Sequence, residues 1–143
     1  MDLLPFERST ALWHRAAYLN RRLQQLVTDA PAGSIDPVAL GEVTQLLHAF
    51  RARSRSTQHR MAAGDRLGAE TSIDKVLLAT VEQSVFDLAL DALGPEVALG
   101  DDPEAHRWRT EYLYSRAATI YGGSAEIQRN IIARRLLDLG DDR

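Results

Sequence analysis

The stretch that decides the fold reads IYGGSAEIQRNII and occupies residues 120–132. Apolar residues recur at helical spacing on both sides of it, and the pair Gly122-Gly123 interrupts that spacing. Ser124 follows as a natural helix cap, so a new helix is predicted to begin there. A helix N-terminus offers backbone N–H groups without partners in the helix, and glycines let a ligand approach them closely. Taken alone, a diglycine between two helices is more often a plain turn than a ligand site.

Three long helical patterns come before that stretch, and no segment alternates polar and apolar residues as a strand would. In the first pattern apolar residues step by four and three, which places them on one stripe of a helix. Asp36-Pro37 has the form of an N-cap followed by proline at the first helical position, and Gly94-Pro95 is a clear stop. The stripes predicted to be buried are Leu12, Ala16, Leu19, Leu23 and Leu26 in the first helix, Val43, Leu47, Phe50, Ser54 and Thr57 in the second, and Leu78, Val81, Val85, Leu88 and Ala92 in the third.

The part of the chain after the third helix is predicted to hold one more long helix in two pieces. Residues 97–103 are predicted to be loop, and residues 104–120 form the first piece. The second piece is predicted to turn Ile127, Ile131 and Leu136 inward. The aromatic residues of the first piece are predicted to be packing residues rather than a cofactor cage, and they are Trp108, Tyr112 and Tyr114. The whole pattern predicts an all-α fold: an up-down four-helix bundle, residues 1–143, whose last helix is broken at the diglycine.

The composition of the 143 residues is that of one globular domain, with 45% hydrophobic and 26% charged residues. A net charge of -3 argues against a general nucleic-acid binder, because phosphate binding usually needs a basic domain. No apolar run approaches the roughly 20 residues that span a bilayer, so no membrane span is expected. Without cysteine there is no disulfide or cysteine-ligated zinc, and a cytoplasmic protein is the simplest interpretation. The four histidines lack metalloprotease spacing, so no metal site is expected.

The second helix carries a basic run that has two interpretations. Its members are Arg51, Arg53, Arg55, His59 and Arg60. They could line a groove for a polyanion or a phosphate-bearing cofactor, or they form a solvated helix face or part of a subunit interface. The second interpretation is favoured, because helical surfaces often carry such charge runs. Elsewhere, Lys75 is the only lysine among 17 basic residues, a bias for which the sequence offers no physical reason.

Residues 116–133, which read RAATIYGGSAEIQRNIIA, resemble the carboxy-terminal signature of acyl-CoA dehydrogenases. The order of helices before them is similar to that family's carboxy-terminal helical domain, so the resemblance covers essentially the whole chain. It implies that the family's amino-terminal helical domain and middle β-barrel are absent here. The implied activity is FAD-dependent α,β-dehydrogenation of an acyl-CoA thioester, with electron-transfer flavoprotein as the acceptor. The fragment alone is expected to be inactive, because most of the flavin and substrate walls are missing.

The resemblance also locates the base that removes the α-proton. Many family members carry a glutamate where this sequence has Gly122, whereas the isovaleryl-CoA dehydrogenase-like members carry it at the start of the first helix, in a Leu-x-x-Glu-Arg context. Residues 4–8 read LPFER, so the resemblance implies that Glu7 is the base. A glutamate in the first helical turn is also favoured by the helix dipole regardless of function. Arg8 is implied to lie beside the substrate and is equally consistent with a surface ion pair.

The resemblance also implies the other site residues. They are Arg8 and Gly122 beside the substrate, and Tyr121, Gly123, Ser124 and Glu126 against the FAD.

Two departures from the family pattern bear on the cofactor site. Residues 28–35 lack the family's Arg-x-x-Phe-Gly stretch, and residues 93–100 lack its glycine-rich turn; both contact FAD across a subunit interface. This loss resembles actinobacterial members in which unlike subunits share fewer flavins, so homo- and hetero-oligomers both remain open. A non-catalytic assembly subunit, or a helical interaction domain, is the alternative function.

Overall fold

The protein is all-α in the part that the structure, a computed structural model, describes: the backbone of residues 3–140 and the side chains of residues 12–140. The helices are α1 (Leu3–Asp29), α2 (Pro37–Ala62), α3 (Thr71–Leu93), α4 (Pro95–Leu99), α5 (Pro103–Arg116) and α6 (Ala125–Arg135), with a short 3-10 turn at Ala117–Thr119 after α5. Within those residues there is no strand. The all-α prediction is therefore confirmed. None of the described helices is long and apolar enough to cross a bilayer.

Two helices begin with the same capping motif, an aspartate N-cap followed by proline. The Asp36 carboxylate accepts a hydrogen bond from the Val38 amide at 2.9 Å, with proline as the first residue of α2. Asp102 caps α5 in the same way and accepts from the Ala105 amide at 3.0 Å. These amide bonds, that of Ala105 foremost, lower the pKa of Asp102, because they favour the ionised carboxylate. The predicted start of α2 is confirmed, and the later aspartate repeats it.

Helix α3 lies at the centre of the fold and packs against α1, α2, α5 and α6. Its sequence is apolar around most of its circumference, which is typical of a helix enclosed by others. The Phe86 ring meets the Trp108 ring edge to face at 6.1 Å. The predicted stripes of α1, α2 and α3 are all confirmed as buried. The core is therefore built around α3, with the broken last helix packed along one side of it.

The directions of the helices follow from the contacts between them. Going along α1, Tyr18 bonds Glu111 and then Arg22 bonds Glu104, so α1 and α5 run antiparallel. Helix α3 is also antiparallel to α5, since Lys75 near its start bonds the carbonyl of Ala118, whereas Phe86 reaches back to Trp108. Helices α1 and α3 therefore run parallel. Their amino-terminal ends lie on the same side of the bundle as the diglycine.

Two predictions about the second half of the chain are wrong. The segment 97–103 is not all loop, because Gly94 at φ +59° ends α3 and Pro95 starts the short helix α4, which buries Val97. The helix predicted to reach residue 120 ends at Arg116, where the chain tightens into the 3-10 turn. Tyr114 is 56% exposed, although Trp108 and Tyr112 do pack in or against the core.

The inward face of α6 was also predicted wrongly. Ile127 is 56% exposed and Leu136 is 39% exposed, and Ile131 is half-buried. Helix α6 packs against α3 alone among the described elements, and the residues it buries fully are Ala125 and Gln128. A helix with a single neighbour needs only a narrow stripe, and here a small residue and an amide occupy it.

Candidate functional site

The diglycine turn, residues 121–124, connects the 3-10 turn after α5 to α6. Gly122 has φ +67° and Gly123 has φ +100°, backbone conformations that favour glycine. The Ser124 hydroxyl accepts a hydrogen bond from the Ile127 amide at 3.4 Å and caps α6. The predicted break and the predicted cap are both confirmed. The sequence fixes this turn through the two residues that tolerate positive φ and the one that starts the next helix.

A side chain at position 122 would point inward, toward Lys75 of α3. A Cβ atom at this position would lie 3.4 Å from Cε of Lys75. The positive φ would add strain for any L-residue. A glutamate here would therefore start from a strained backbone and point at a lysine. The turn as built suits glycine and leaves its outer backbone uncovered.

Lys75 contacts the turn from the side of α3. It lies near the start of α3 and is only 4% exposed, and its ammonium donates a hydrogen bond to the Ala118 carbonyl at 2.6 Å. The same nitrogen lies 3.9 Å from the ring centroid of Tyr121, within the range of a cation–π contact. Lys75 is the only lysine of the chain, and no sequence motif predicts a role for it. That rarity was the one sequence signal that pointed to it.

A second cluster of polar side chains connects α1, α3 and the turn, and its members are Arg15, Glu82 and Tyr121. Glu82 is fully buried, and the Arg15 guanidinium donates to its carboxylate at 2.5 Å. Burial alone would lower the pKa of Arg15, but the hydrogen bond and charge of Glu82 outweigh it, and the pKa is raised. The ring of Tyr121 stacks on that of Tyr114 at 6.1 Å. Sequence reasoning missed Arg15 and Glu82, since each lies in a helix whose pattern marks polar residues as exposed.

The hydroxyl of Tyr121 is a weaker acid than that of a free tyrosine. Burial, the charge of Glu82 and the neighbouring Tyr114 raise its pKa to about 12. The folded state therefore keeps this proton more firmly than the unfolded state does. The stabilisation is complete below the unfolded pKa of 10.0 and is lost as the pH rises through about 12.

We expect the tyrosinate absorbance of the chain to include a transition near pH 12 that is missing in Tyr121→Phe. The phenylalanine keeps the stacked ring and removes only the ionising group. The measurement is a spectroscopic pH titration of both proteins, with Tyr114→Phe as the matched control, because that variant keeps Tyr121. If Tyr121→Phe loses a transition near pH 10 instead, the described environment of this hydroxyl is incorrect.

The outer side of the turn presents the start of α6. The buried Gln128 amide donates to the Gly122 carbonyl at 3.0 Å, which fixes that carbonyl against the helix. Gly122 itself is exposed, as is Glu126. The pKa of Glu126 is lowered by its own backbone N–H and then by the Ser124 hydroxyl, as expected for an acidic residue at a helix N-terminus. The start of α6 therefore favours negative charge, and the exposed Glu126 carboxylate supplies it.

Glu7 and Arg8 belong to α1, but their side chains lie outside the described residues. The backbone register is informative. Arg15 pairs with Glu82 across the parallel helices α1 and α3. Glu7 precedes Arg15 by eight residues, and Lys75 precedes Glu82 by seven. At about 1.5 Å per residue, both positions lie roughly 10–12 Å back along their helices, toward the end that carries the diglycine turn.

The basic run of α2 is largely engaged within the chain. The Arg53 guanidinium pairs with Asp74 at 2.5 Å, and Arg60 pairs with Glu70 at 2.7 Å. Arg51 donates to the side chain of Asn20 at 3.3 Å. These contacts favour a charged helix face over a polyanion groove. Across residues 12–140, no three acidic or histidine side chains come together in a way that could hold a metal ion.

The chain is similar over most of its length to known proteins. A family model for the acyl-CoA dehydrogenase C-terminal domain matches residues 10–137. Acyl-CoA dehydrogenase IpdE1 from Mycobacterium tuberculosis is 35% identical over 144 residues, covering 97% of this chain and 37% of that protein. Its namesake from Mycolicibacterium smegmatis is 33% identical over 144 residues, covering 97% of this chain and 36% of that protein. The chain thus spans a little over a third of the length of these relatives.

Proposed function

The chain belongs to the acyl-CoA dehydrogenase family and matches its C-terminal domain, and from this we propose that it forms the helical part of an FAD-dependent acyl-CoA dehydrogenase. The complete enzyme would remove a proton from the α-carbon of an acyl-CoA thioester and a hydride from its β-carbon. The observation that carries the proposal is the diglycine turn: an uncovered backbone at the start of α6, held by buried polar contacts.

The described residues fit a flavin edge at this turn. Gly122 and Gly123 add no side chain on the outer face, and the first amides of α6 have no partner within the helix. We assign Tyr121, Gly123, Ser124 and Glu126 to the FAD side of the site, with Gly122 beside the substrate. FAD, when bound, would supply the hydride acceptor. The chain's own contribution is to hold the glycine turn in place.

Glu7 is the base in this proposal. A glutamate at position 122 would have to adopt the positive φ of Gly122, which is strained for any L-residue. The register of α1 against α3 brings the backbone of Glu7 toward the same end of the bundle as the turn. The Glu7 carboxylate would accept the α-proton, and Arg8 would lie beside the substrate. Base and flavin wall would then come from opposite ends of the sequence.

The partners in this proposal are an acyl-CoA substrate, electron-transfer flavoprotein as the acceptor and further acyl-CoA dehydrogenase subunits, in a cytoplasmic enzyme. Residues 28–35 lack the Arg-x-x-Phe-Gly stretch, and this absence favours a second candidate function, a subunit that assembles with a catalytic partner and binds no flavin of its own. The two candidates differ in where the flavin is held.

The flavin content of the complete enzyme tests the proposal. Purified alone, it should carry FAD and lose its oxidised-flavin absorbance on anaerobic addition of an acyl-CoA that it accepts. The isolated 143-residue chain should show no dehydrogenase activity, because most of the pocket is contributed by other segments. FAD that appears only after co-purification with a second acyl-CoA dehydrogenase subunit would support the assembly function. Activity from the isolated chain would contradict the proposed division of the site.

A further inference from the structure

Lys75 differs in identity from every other basic residue of the chain. The chain has 17 lysine and arginine residues, and Lys75 is the only lysine. It is 4% exposed, and its ammonium contacts a backbone carbonyl and an aromatic face. An arginine would bring a larger, planar fork with donors in fixed directions, whereas the lysine ammonium is a compact charge. The lysine side chain passes close beneath Gly122, since a Cβ there would lie 3.4 Å from Lys75 Cε.

We propose that Lys75 is the positioning residue of the diglycine turn. Its ammonium ties Ala118, in the middle of the 3-10 turn, and the ring of Tyr121 to α3, and thereby fixes the wall of the site formed by Gly122 and Gly123. The effect on catalysis rests on the proposed function, in which this wall faces flavin and substrate. The effect on the turn itself does not.

The turn needs such an anchor because its own residues cannot supply one. Gly122 and Gly123 have no side chains and adopt positive φ, which glycine enters and leaves readily. Contacts from outside the pair therefore hold it, and two of them are that of Gln128 on the Gly122 carbonyl and that of Lys75 on the segment before it. Without the ammonium, the Ala118 carbonyl would lose its hydrogen bond in a residue that is fully buried.

The burial of the Lys75 ammonium favours the conformation in which the turn is docked against α3. Taking an ammonium out of water is costly unless hydrogen bonds and charge–quadrupole contacts offset the loss. Lys75 donates over 2.6 Å to Ala118 and lies 3.9 Å from the Tyr121 centroid. Both contacts exist only when the turn lies against α3. The buried charge therefore favours the docked turn over any conformation in which the two contacts separate.

The first test uses the 143-residue chain and needs no flavin. Because Lys75 is the only lysine, isotope labelling of lysine gives one side-chain signal by NMR. The ε-proton shift should be displaced by the ring current of Tyr121 and should move toward the value of a free lysine in Tyr121→Leu. A wild-type signal with the shift and mobility of an exposed lysine would overturn the proposal.

The second test uses the complete, flavin-loaded enzyme. Lys75→Met keeps the length of the side chain and removes the charge. It should lower kcat by roughly 10- to 100-fold, the effect of a misplacement of about 1 Å, and should shift the flavin absorbance spectrum. The matched control is Arg22→Met, which removes a buried cation that pairs with Glu104 away from the turn. That variant should lose stability while keeping kcat and the flavin spectrum.

The outcomes separate the two proposals. If Lys75→Met behaves as Arg22→Met does, with lower stability but unchanged kcat and spectrum, Lys75 is structural and the positioning role is wrong. If the wild-type complete enzyme binds no FAD and oxidises no acyl-CoA, the proposed function fails instead. The NMR signal of the chain then still decides whether Lys75 holds the turn.

Discussion

The turnover of the complete enzyme should fall by about 10²- to 10⁴-fold when Glu7 is replaced by glutamine, the range that general base catalysis contributes. Glutamine keeps the size and hydrogen-bonding capacity of the side chain but cannot accept the α-proton. FAD should remain bound, because the flavin side of the site is assigned to the diglycine turn and α6. The measurement is kcat with an accepted acyl-CoA, together with the flavin-to-protein ratio.

A matched variant separates the loss of a base from the loss of a surface charge. Glu42→Gln removes one carboxylate from an exposed position of α2 and should leave kcat unchanged. A Glu7→Gln enzyme with near-wild-type turnover would show that another group takes the proton. A Glu7→Gln enzyme that had lost its FAD would show instead that Glu7 acts in cofactor binding.

The unfolding free energy of the chain should fall by about 3–5 kcal/mol when Arg15 is replaced by methionine, because this leaves a buried carboxylate without its cation. The Glu82 side chain is fully buried, whereas that of Arg15 is 24% exposed. In the single variant Glu82 must stay charged in the interior or take up a proton, and either costs free energy. The measurement is denaturant unfolding at neutral pH.

A double variant tests whether the cost comes from the unpaired charge. Arg15→Met combined with Glu82→Leu removes both partners, and such replacements of buried pairs are often close to neutral. We therefore expect the double variant to recover much of the loss, which would give a coupling energy between the two sites. Arg129→Met, at an exposed position of α6, should change stability by no more than about 0.5 kcal/mol. A single variant that loses no more than this control would contradict the account of the pair.

The sequence predicted best the parts of the fold that depend on simple periodicity. Leu19 and Phe50 are fully buried as predicted, because helices with neighbours on one side show a regular apolar stripe. The diglycine break was predictable because positive φ and helix capping each have a strong residue preference. The prediction that Ile127 faces inward was wrong, because the number of helices packed around α6 is a tertiary property that its own sequence does not contain.

The candidate site was predictable only in its outline. The diglycine and Ser124 were visible as a motif, whereas Lys75 and Glu82 were not. Each is a charged residue within an apolar helix, and it is buried only because a partner distant in sequence reaches it. Such long-range pairs leave no local pattern. The lack of any other lysine hinted at Lys75, but its meaning depends on the contact with Ala118.

The most direct test of the central claim is the exchange of α-hydrogens of a bound acyl-CoA with deuterated solvent under anaerobic conditions. Exchange reports proton removal without requiring a complete turnover. The wild-type enzyme should exchange these hydrogens, and Glu7→Gln should not, although both bind FAD and the acyl-CoA. Exchange at the wild-type rate in Glu7→Gln would contradict the proposal that Glu7, at the start of α1, is the base.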